Sequence, residues 1–402
     1  MNETALIAAA VLALGYALAS KRLENSILTG PLIFLCLGAV LSQTGLLHIE
    51  QAEESLHLLA EITLIIVLFA DATQVRARDL LQYHTWPIRM LVIGLPLAML
   101  IGTGLNAVLL PGWGMWEIAL LAAILAPTDA ALGQAVVTNA HVPQRIRRAL
   151  TVESGLNDGL ALPAVLMLGC LAVGGRHEFT QVSWLQFALE QIGLGALIGI
   201  AVGYLGGKLF ALAKSRNYAQ TPMQGIAILA VAGLTYLAAQ SLGGNGFLAA
   251  FVGGVAFAAA QTEDLTYPTE FMETEGTLLV LMTFLLVGLV LAPEVLSHAD
   301  PIWIALALGS LFIVRPLAIW VSLIGTDAPP ATRLFMGWFG PRGLATILFA
   351  LLIVSQLTHL EHGHEILMIA TLTVLLSAVL HGTSAAPSAT KFGARLLPKN
   401  LE

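Results

Sequence analysis

A small set of ionisable residues stands inside long apolar stretches of this chain, where their chemistry would be unusual. Asp71 closes Leu68-Phe69-Ala70-Asp71, and Asp129 lies in Ala126-Pro127-Thr128-Asp129-Ala130. Glu153 and Asp158 share the stretch Glu153-Ser154-Gly155-Leu156-Asn157-Asp158-Gly159, while Arg315 and Arg342 bring the opposite sign further on. Residues four apart share a helix face, which pairs Ser154 with Asp158 and Glu153 with Asn157. The first pair offers a hydroxyl and a carboxylate, hard oxygen ligands suited to a dehydrated alkali cation. The second offers a carboxylate to an arginine, with an amide beside it. If each arginine takes one of the deep acids Asp129, Glu153 and Asp158, one acid is left over, and a cation could sit there. Gly155 and Gly159 thin the helix wall so that a neighbour can approach closely.

The elements that hold these residues follow from composition. Of 402 residues 57% are hydrophobic and 11% charged, with mean hydropathy +0.84. A soluble domain carries about 25% charged residues, so this chain is expected in a bilayer. An Asp, Glu or Arg at bilayer depth costs about 2.5–3.5 kcal/mol on insertion scales, which makes each one a functional candidate. The net charge is −7 and no basic run is present, so nucleic acid is excluded as a partner. Cys36 and Cys170 alone cannot build a disulfide framework or a cysteine metal site. Gly243–Gly246 and Gly253–Gly254 follow no strand and are read as turn or packing glycines, not a nucleotide loop. No nucleophile and base of hydrolytic type occur together, so neither an enzyme nor a cofactor is expected.

A spanning helix needs about 20 apolar residues. Cutting the chain at its charged and Gly/Pro-rich punctuation gives thirteen segments, beginning near Thr4, Ile27, Leu56, Met90, Trp116, Arg148, Trp184, Gln224, Gly246, Glu275, Pro301, Ala331 and His364. The first could pass for a signal peptide, but no Lys or Arg precedes it and it is read as a spanning helix. Long continuous apolar runs exclude a β-barrel. Placing the N-terminus outside puts Lys21, Arg22, Arg76, Arg78, Arg89, Arg145, Arg147, Arg148, Lys208, Lys214, Arg216, Arg333, Lys391, Arg395 and Lys399 on the cytoplasmic side. Only Arg176 lies outside, a strongly one-sided alternation. A short tail, 387–402, is then cytoplasmic.

Pro127 removes a backbone donor and pushes Ala126 out of helical conformation, so the fifth segment should break there. Gly340-Pro341-Arg342-Gly343 predicts a second break in the twelfth. If helices one to six form one repeat (about 4–172), a linker helix covers about 184–213 and a second repeat covers about 222–386, both breaks fall on the fifth helix of their repeat. Paired interruptions of this kind point to a transporter's binding site.

With these motifs the sequence resembles monovalent cation:proton antiporters, in particular sodium/proton antiporters of the NhaP type. The resemblance rests on Pro127-Thr128-Asp129, Glu153-Ser154-x-x-Asn157-Asp158, Arg315-Pro316 and Gly340-Pro341-Arg342-Gly343, in order along nearly the whole chain. It implies an all-α membrane fold of thirteen helices in two inverted six-helix repeats, with broken helices five and twelve crossing at the midplane, and a homodimer. It also implies Asp158 as the carboxylate that binds cation and proton in turn, with Ser154, Thr128 and Asp71 as further ligands of Na⁺. Glu153 with Arg315, and Asp129 with Arg342, become structural ion pairs, and Asn157 before Asp158 marks the electroneutral branch. The family usually has proline at Ala130, leucine at Pro341 and glutamate at Asp71.

The implied reaction is exchange of Na⁺ or Li⁺ for a proton across the cell inner membrane, without a cofactor. Potassium/proton exchange is the near alternative. A cation channel or an intramembrane enzyme is disfavoured by the paired breaks and by the lack of a base facing Asp158. Two weaker features complete the reading. His359, His362 and His364, around Glu361 and Glu365, are expected to form a solvated outer loop, with a pH response near about 6.5 or a stray metal as alternatives. Glu61, Glu190, Glu273 and Glu275 are expected near helix ends, reaching the interface.

Overall fold

The computed structural model describes residues 3–23, 29–44, 52–73, 85–139, 141–174, 181–261, 266–357 and 359–396. Of the basic residues counted above, Arg76, Arg78, Arg176 and Lys399 lie outside these ranges. Every regular element among the described residues is helical: α1 Glu3–Leu23, α2 Gly30–Thr44, α3 Ala52–Thr73, α4 Thr85–Leu109, α5 Met115–Ile124, α6 Ala130–Val137, α7 Gln144–Gly174 and α8 Gln181–Ser215. The second half holds α9 Thr221–Ser241, α10 Gly246–Ala259, α11 Thr266–His298, α12 Pro301–Ser322, α13 Pro330–Trp338, α14 Leu344–Gln356 and α15 Gly363–Leu396. Eight of these are long and apolar enough to cross a bilayer, and four shorter apolar helices, Gly30–Gln43, Met115–Ile124, Gly246–Ala259 and Leu344–Ser355, accompany them. Exposed Leu18, Leu100, Val108, Leu197 and Leu209 give the bundle an apolar exterior suited to lipid.

The segment boundaries have local causes. Gly243 at φ +81° makes the turn that divides the uncharged stretch into α9 and α10, and Asn245 Oδ1 caps α10 by accepting from Leu248 N at 2.9 Å. Asp300 caps α12 in the same way, through Ile302 N at 2.7 Å. The helix α15 runs on through Pro387 to Leu396, past the end of its apolar span at Ala385.

Two features were not anticipated. In α4 a π-helical turn, Met90–Gly94, stands directly before Leu95-Pro96, and in α12 a π-helical turn, Ser310–Val314, stands before Arg315-Pro316. A proline ring inside a helix clashes with the carbonyl four residues back and leaves it without a donor; one widened turn relieves both. The other is the closeness of some helices. A Cβ on Gly38 of α2 would overlap the Leu285 carbonyl of α11, and one on Gly288 would overlap the Leu35 carbonyl, a reciprocal backbone contact. Gly254 of α10 likewise abuts the Phe69 carbonyl of α3. Small residues permit this approach between apolar helices.

Candidate cation and proton site

The broken fifth and twelfth segments meet. Between α5 and α6 the chain unwinds around Pro127, and between α13 and α14 it unwinds around Gly340-Pro341. The Asp129 N–H donates to the Pro341 carbonyl at 2.8 Å, so the two unwound segments touch directly. The Asp129 carboxylate accepts the Leu344 N–H at 2.8 Å, capping the start of α14. Arg342 Nη1 reaches the Pro127 and Gly340 carbonyls, each at 3.3 Å. The side chain of each break therefore satisfies a helix end exposed by the other, with an anion at an N-terminus and a cation at a C-terminus, the favourable sense of the helix dipole.

The direct Asp129–Arg342 ion pair implied by the resemblance takes this other form. The Arg342 guanidinium, fully buried, makes its hydrogen bonds to carbonyls, because broken helices present bare carbonyls that a bilayer interior cannot solvate. Gly343 is required beside it: a Cβ there would run into the Asp129 carboxyl group.

Behind the crossing lies the Glu153–Arg315 ion pair that the family resemblance implied. Arg315 grips Glu153 through two parallel bonds, Nη1 to Oε1 at 2.5 Å and Nη2 to Oε2 at 2.9 Å, with both side chains buried. Thr128 joins this pair to the rest. Its Oγ1 lies 2.6 Å from Asn157 Nδ2, 3.2 Å from Glu153 Oε2 and 3.2 Å from Ser154 Oγ. A hydroxyl has one hydrogen to give and two lone pairs. Donating to Glu153 and accepting from both Asn157 and Ser154 saturates it, so Thr128 can ligate a cation only when a neighbour turns away.

Asp158 is 7% exposed, and among the described residues its Oδ1 has no hydrogen-bond partner; Asn157 Oδ1 is buried and likewise unpartnered among them. Buried acceptors are nearly always satisfied, and an empty carboxylate in such a place is costly. Ser154 stands one helical turn from Asp158 on α7. Asp71, half-buried at the end of α3, is brought against the same helix: its Cβ lies 3.9 Å from where a Cβ on Gly155 would be. Gly159, below, accommodates the Phe251 ring of α10.

Sequence reasoning missed part of the frame. On α15, Ser377 Oγ accepts the Arg342 N–H at 2.7 Å and lies 3.2 Å from His381 Nδ1, while His381 Nε2 donates to the Trp338 carbonyl at 2.9 Å. The pair braces both sides of the second break, and its four-residue spacing inside an apolar segment was a visible signal. Glu61 is also not where it was expected. It hydrogen-bonds the Tyr236 hydroxyl, itself 3.0 Å from Gln240 Nε2, and lines a cavity of about 180 Å³ between α3, α9 and α14.

Comparison with known proteins agrees with this architecture. The family described as sodium/hydrogen exchanger, transmembrane, matches residues 7–391. A K(+)/H(+) antiporter NhaP of Alkalimonas amylolytica is 31% identical over 390 residues, covering 92% of this chain and 63% of the relative. A K(+)/H(+) antiporter NhaP2 of Shewanella sp. (strain ANA-3) is 27% identical over 409 residues, covering 100% of this chain and 69% of the relative. The chain thus spans roughly two thirds of the length of these curated relatives. The structure of the sodium proton antiporter MjNhaP1 from Methanocaldococcus jannaschii at pH 8 superposes with a TM-score of 0.76 at 20% identity, covering 96% of this chain and 97% of that one, which establishes the fold. Two touching helix breaks, an acid left over beside a buried Arg–Glu pair, and a match over nearly the whole sequence lead to one conclusion: the chain belongs to the sodium/hydrogen exchanger family.

Proposed function

We propose that this chain is a secondary active transporter that exchanges a monovalent cation, Na⁺ or Li⁺, for protons by alternating access, with the two competing for Asp158. The observation that carries the reading is the buried Asp158 Oδ1 without a partner. A desolvated carboxylate needs one positive charge, and a proton and an alkali cation are mutually exclusive ways of supplying it. Ser154, Thr128 and Asp71 are the further oxygen ligands, Ser154 and Thr128 completing the Na⁺ site with Asp158. Glu153, Asn157 and Arg315 hold Thr128 in place, and Asp129 and Arg342 hold the crossing. One proton against one cation moves no net charge, so a potential worth about 2.3 kcal/mol per charge per 100 mV does not drive the cycle. Only the two concentration gradients do.

Potassium/proton exchange is the second reading, favoured by the printed names of the Alkalimonas and Shewanella relatives. A dye-based assay of pH change in proteoliposomes, run with Na⁺, Li⁺ and K⁺ in turn, separates the two. Equal flux with no pH change for every ion would refute exchange altogether.

The wider arrangement belongs to the same proposal: thirteen spans, repeats of about 4–172 and 222–386 around a linker helix, a homodimer among membrane lipids, and an inner-membrane location with the N-terminus outside and the C-terminus cytoplasmic. The π turns and breaks support the repeats, since α4 followed by the first break matches α12 followed by the second. Lys21, Arg22, Arg145 and Lys214 at helix ends support the orientation.

A further inference from the structure

The loop between α14 and α15 and the first turn of α15 read His359-Leu360-Glu361-His362-Gly363-His364-Glu365, a short His-rich tract of the composition that holds metals. The fold adds a residue from far away in sequence. Glu117, in the first turn of α5, is 4% exposed, and its Oε2 lies 2.9 Å from His362 Nδ1 while Oε1 accepts the His362 N–H at 3.3 Å. Trp113 stacks on the imidazole at 4.2 Å and 16°, which sets the plane of the ring and so the direction of Nδ1. Glu361 brings a second carboxylate, and one ligand atom from each of Glu117, Glu361 and His362 falls within a mutual distance of 4.8 Å. His364 is committed elsewhere, to Glu294 at 3.3 Å.

We propose that Glu117, Glu361 and His362 form a site for a divalent transition-metal ion of the zinc class, separate from the exchange site and independent of the reading given for it. One imidazole nitrogen and two carboxylates, with a position left for water, is a donor set that zinc takes. Metal–ligand bonds of about 2.0–2.1 Å at tetrahedral angles put neighbouring ligands about 3.3 Å apart. The Glu117–His362 pair therefore opens by a few tenths of an ångström, the imidazole keeps its ring proton on Nε2 so that Nδ1 is free to bind, and the exposed Glu361 swings in. Two carboxylates are needed because α5 and α15 both begin here, and their positive ends oppose a bare cation. The ion would tie the start of α5 to the loop that follows α14.

The test is calorimetric titration of the full chain, purified in detergent with its affinity tag removed, with Zn²⁺ and separately with Mg²⁺. The expected result is one Zn²⁺ per chain, no saturable Mg²⁺ binding, and an affinity loss of about tenfold or more in His362→Gln and in Glu361→Ala. Glu361→Ala alters an exposed side chain, so it stays informative if His362→Gln fails to fold. No saturable Zn²⁺ binding in the wild type would overturn the proposal. So would binding that survives Glu117→Gln but is lost when His359 and His364 are both changed to Ala, since the tract alone would then hold the ion.

Discussion

Asn157 Nδ2 lies 2.6 Å from Thr128 Oγ1, and this bond ties the unbroken helix α7 to the first unwound segment. The residue next to Asp158 thereby controls the hydroxyl that would share its cation. Thr128→Val keeps the shape and removes the hydroxyl, leaving the buried Asn157 amide with only the long 3.5 Å contact to Glu153 Oε1. A stability loss of about 1–3 kcal/mol is expected, along with a raised apparent KM for the cation at little change in maximal rate. Thermal melting and proteoliposome kinetics check the two halves separately.

Asp158→Asn should abolish exchange while the protein stays folded. The wild-type carboxylate already holds a buried oxygen without a partner, so replacing it with a neutral amide removes no hydrogen bond from that atom. An unchanged or higher melting temperature together with no cation-driven pH change is the expected pattern. Normal exchange would refute the assignment.

For Arg315→Ala the loss should be chiefly structural, because Glu153 remains buried without its bidentate partner. Removing one member of a buried pair costs about 3–5 kcal/mol. Adding Glu153→Gln should restore part of the melting temperature, since the stranded charge is then gone. A double variant no more stable than Arg315→Ala would show that the ion pair is not the cause.

Gly288→Leu should fail where an ordinary helix substitution would not. A side chain there meets the Leu35 carbonyl across the α2–α11 contact and forces the helices apart. Gly104, whose Cβ position is open, serves as the comparison; Gly104→Ala should be neutral or slightly stabilising, since alanine favours helix over glycine by about 1 kcal/mol.

A fifth prediction concerns pH. In the α12–α13 loop, Asp327 accepts two hydrogen bonds from Arg145, at 2.5 and 2.9 Å, and one from Trp86 Nε1 at 2.9 Å. The Arg145 bonds hold its carboxyl below the ordinary value of 3.8. A depressed folded-state value means that the contribution is complete above about pH 4 and is lost as the pH falls through the folded value. The pair is solvent-exposed and screened, so Asp327→Asn should cost under about 1 kcal/mol, less in high salt. Melting curves from pH 3 to 6 should converge for wild type and variant at the acid end.

The breaks were legible in the sequence because proline leaves a mark that does not depend on its surroundings: Pro127 and Pro341 each remove a donor. Charge balance said that each deep arginine should find an acid, and the family resemblance chose Glu153 for Arg315. The role of Arg342 was not legible. Its partners are backbone carbonyls, which carry no side-chain signal, so a guanidinium and a nearby acid suggested a pair that the fold replaces with mutual capping. Glu61 escaped for a different reason, as its partner Tyr236 is 175 residues away and neither residue is unusual alone. Pro96 and Pro316 were visible, but a helix can absorb a proline by kinking or by widening, and only packing decides which.

The mutual capping of the two breaks constrains how the molecule can cycle. Pulling them apart would strand the Leu344 amide, the Pro127 carbonyl and a guanidinium in an apolar interior, so separating the two breaks is costly. Under the exchange proposed above, access to the ion would change by carrying this knot as one piece past its surroundings, with the giving way along the greasy seam around it.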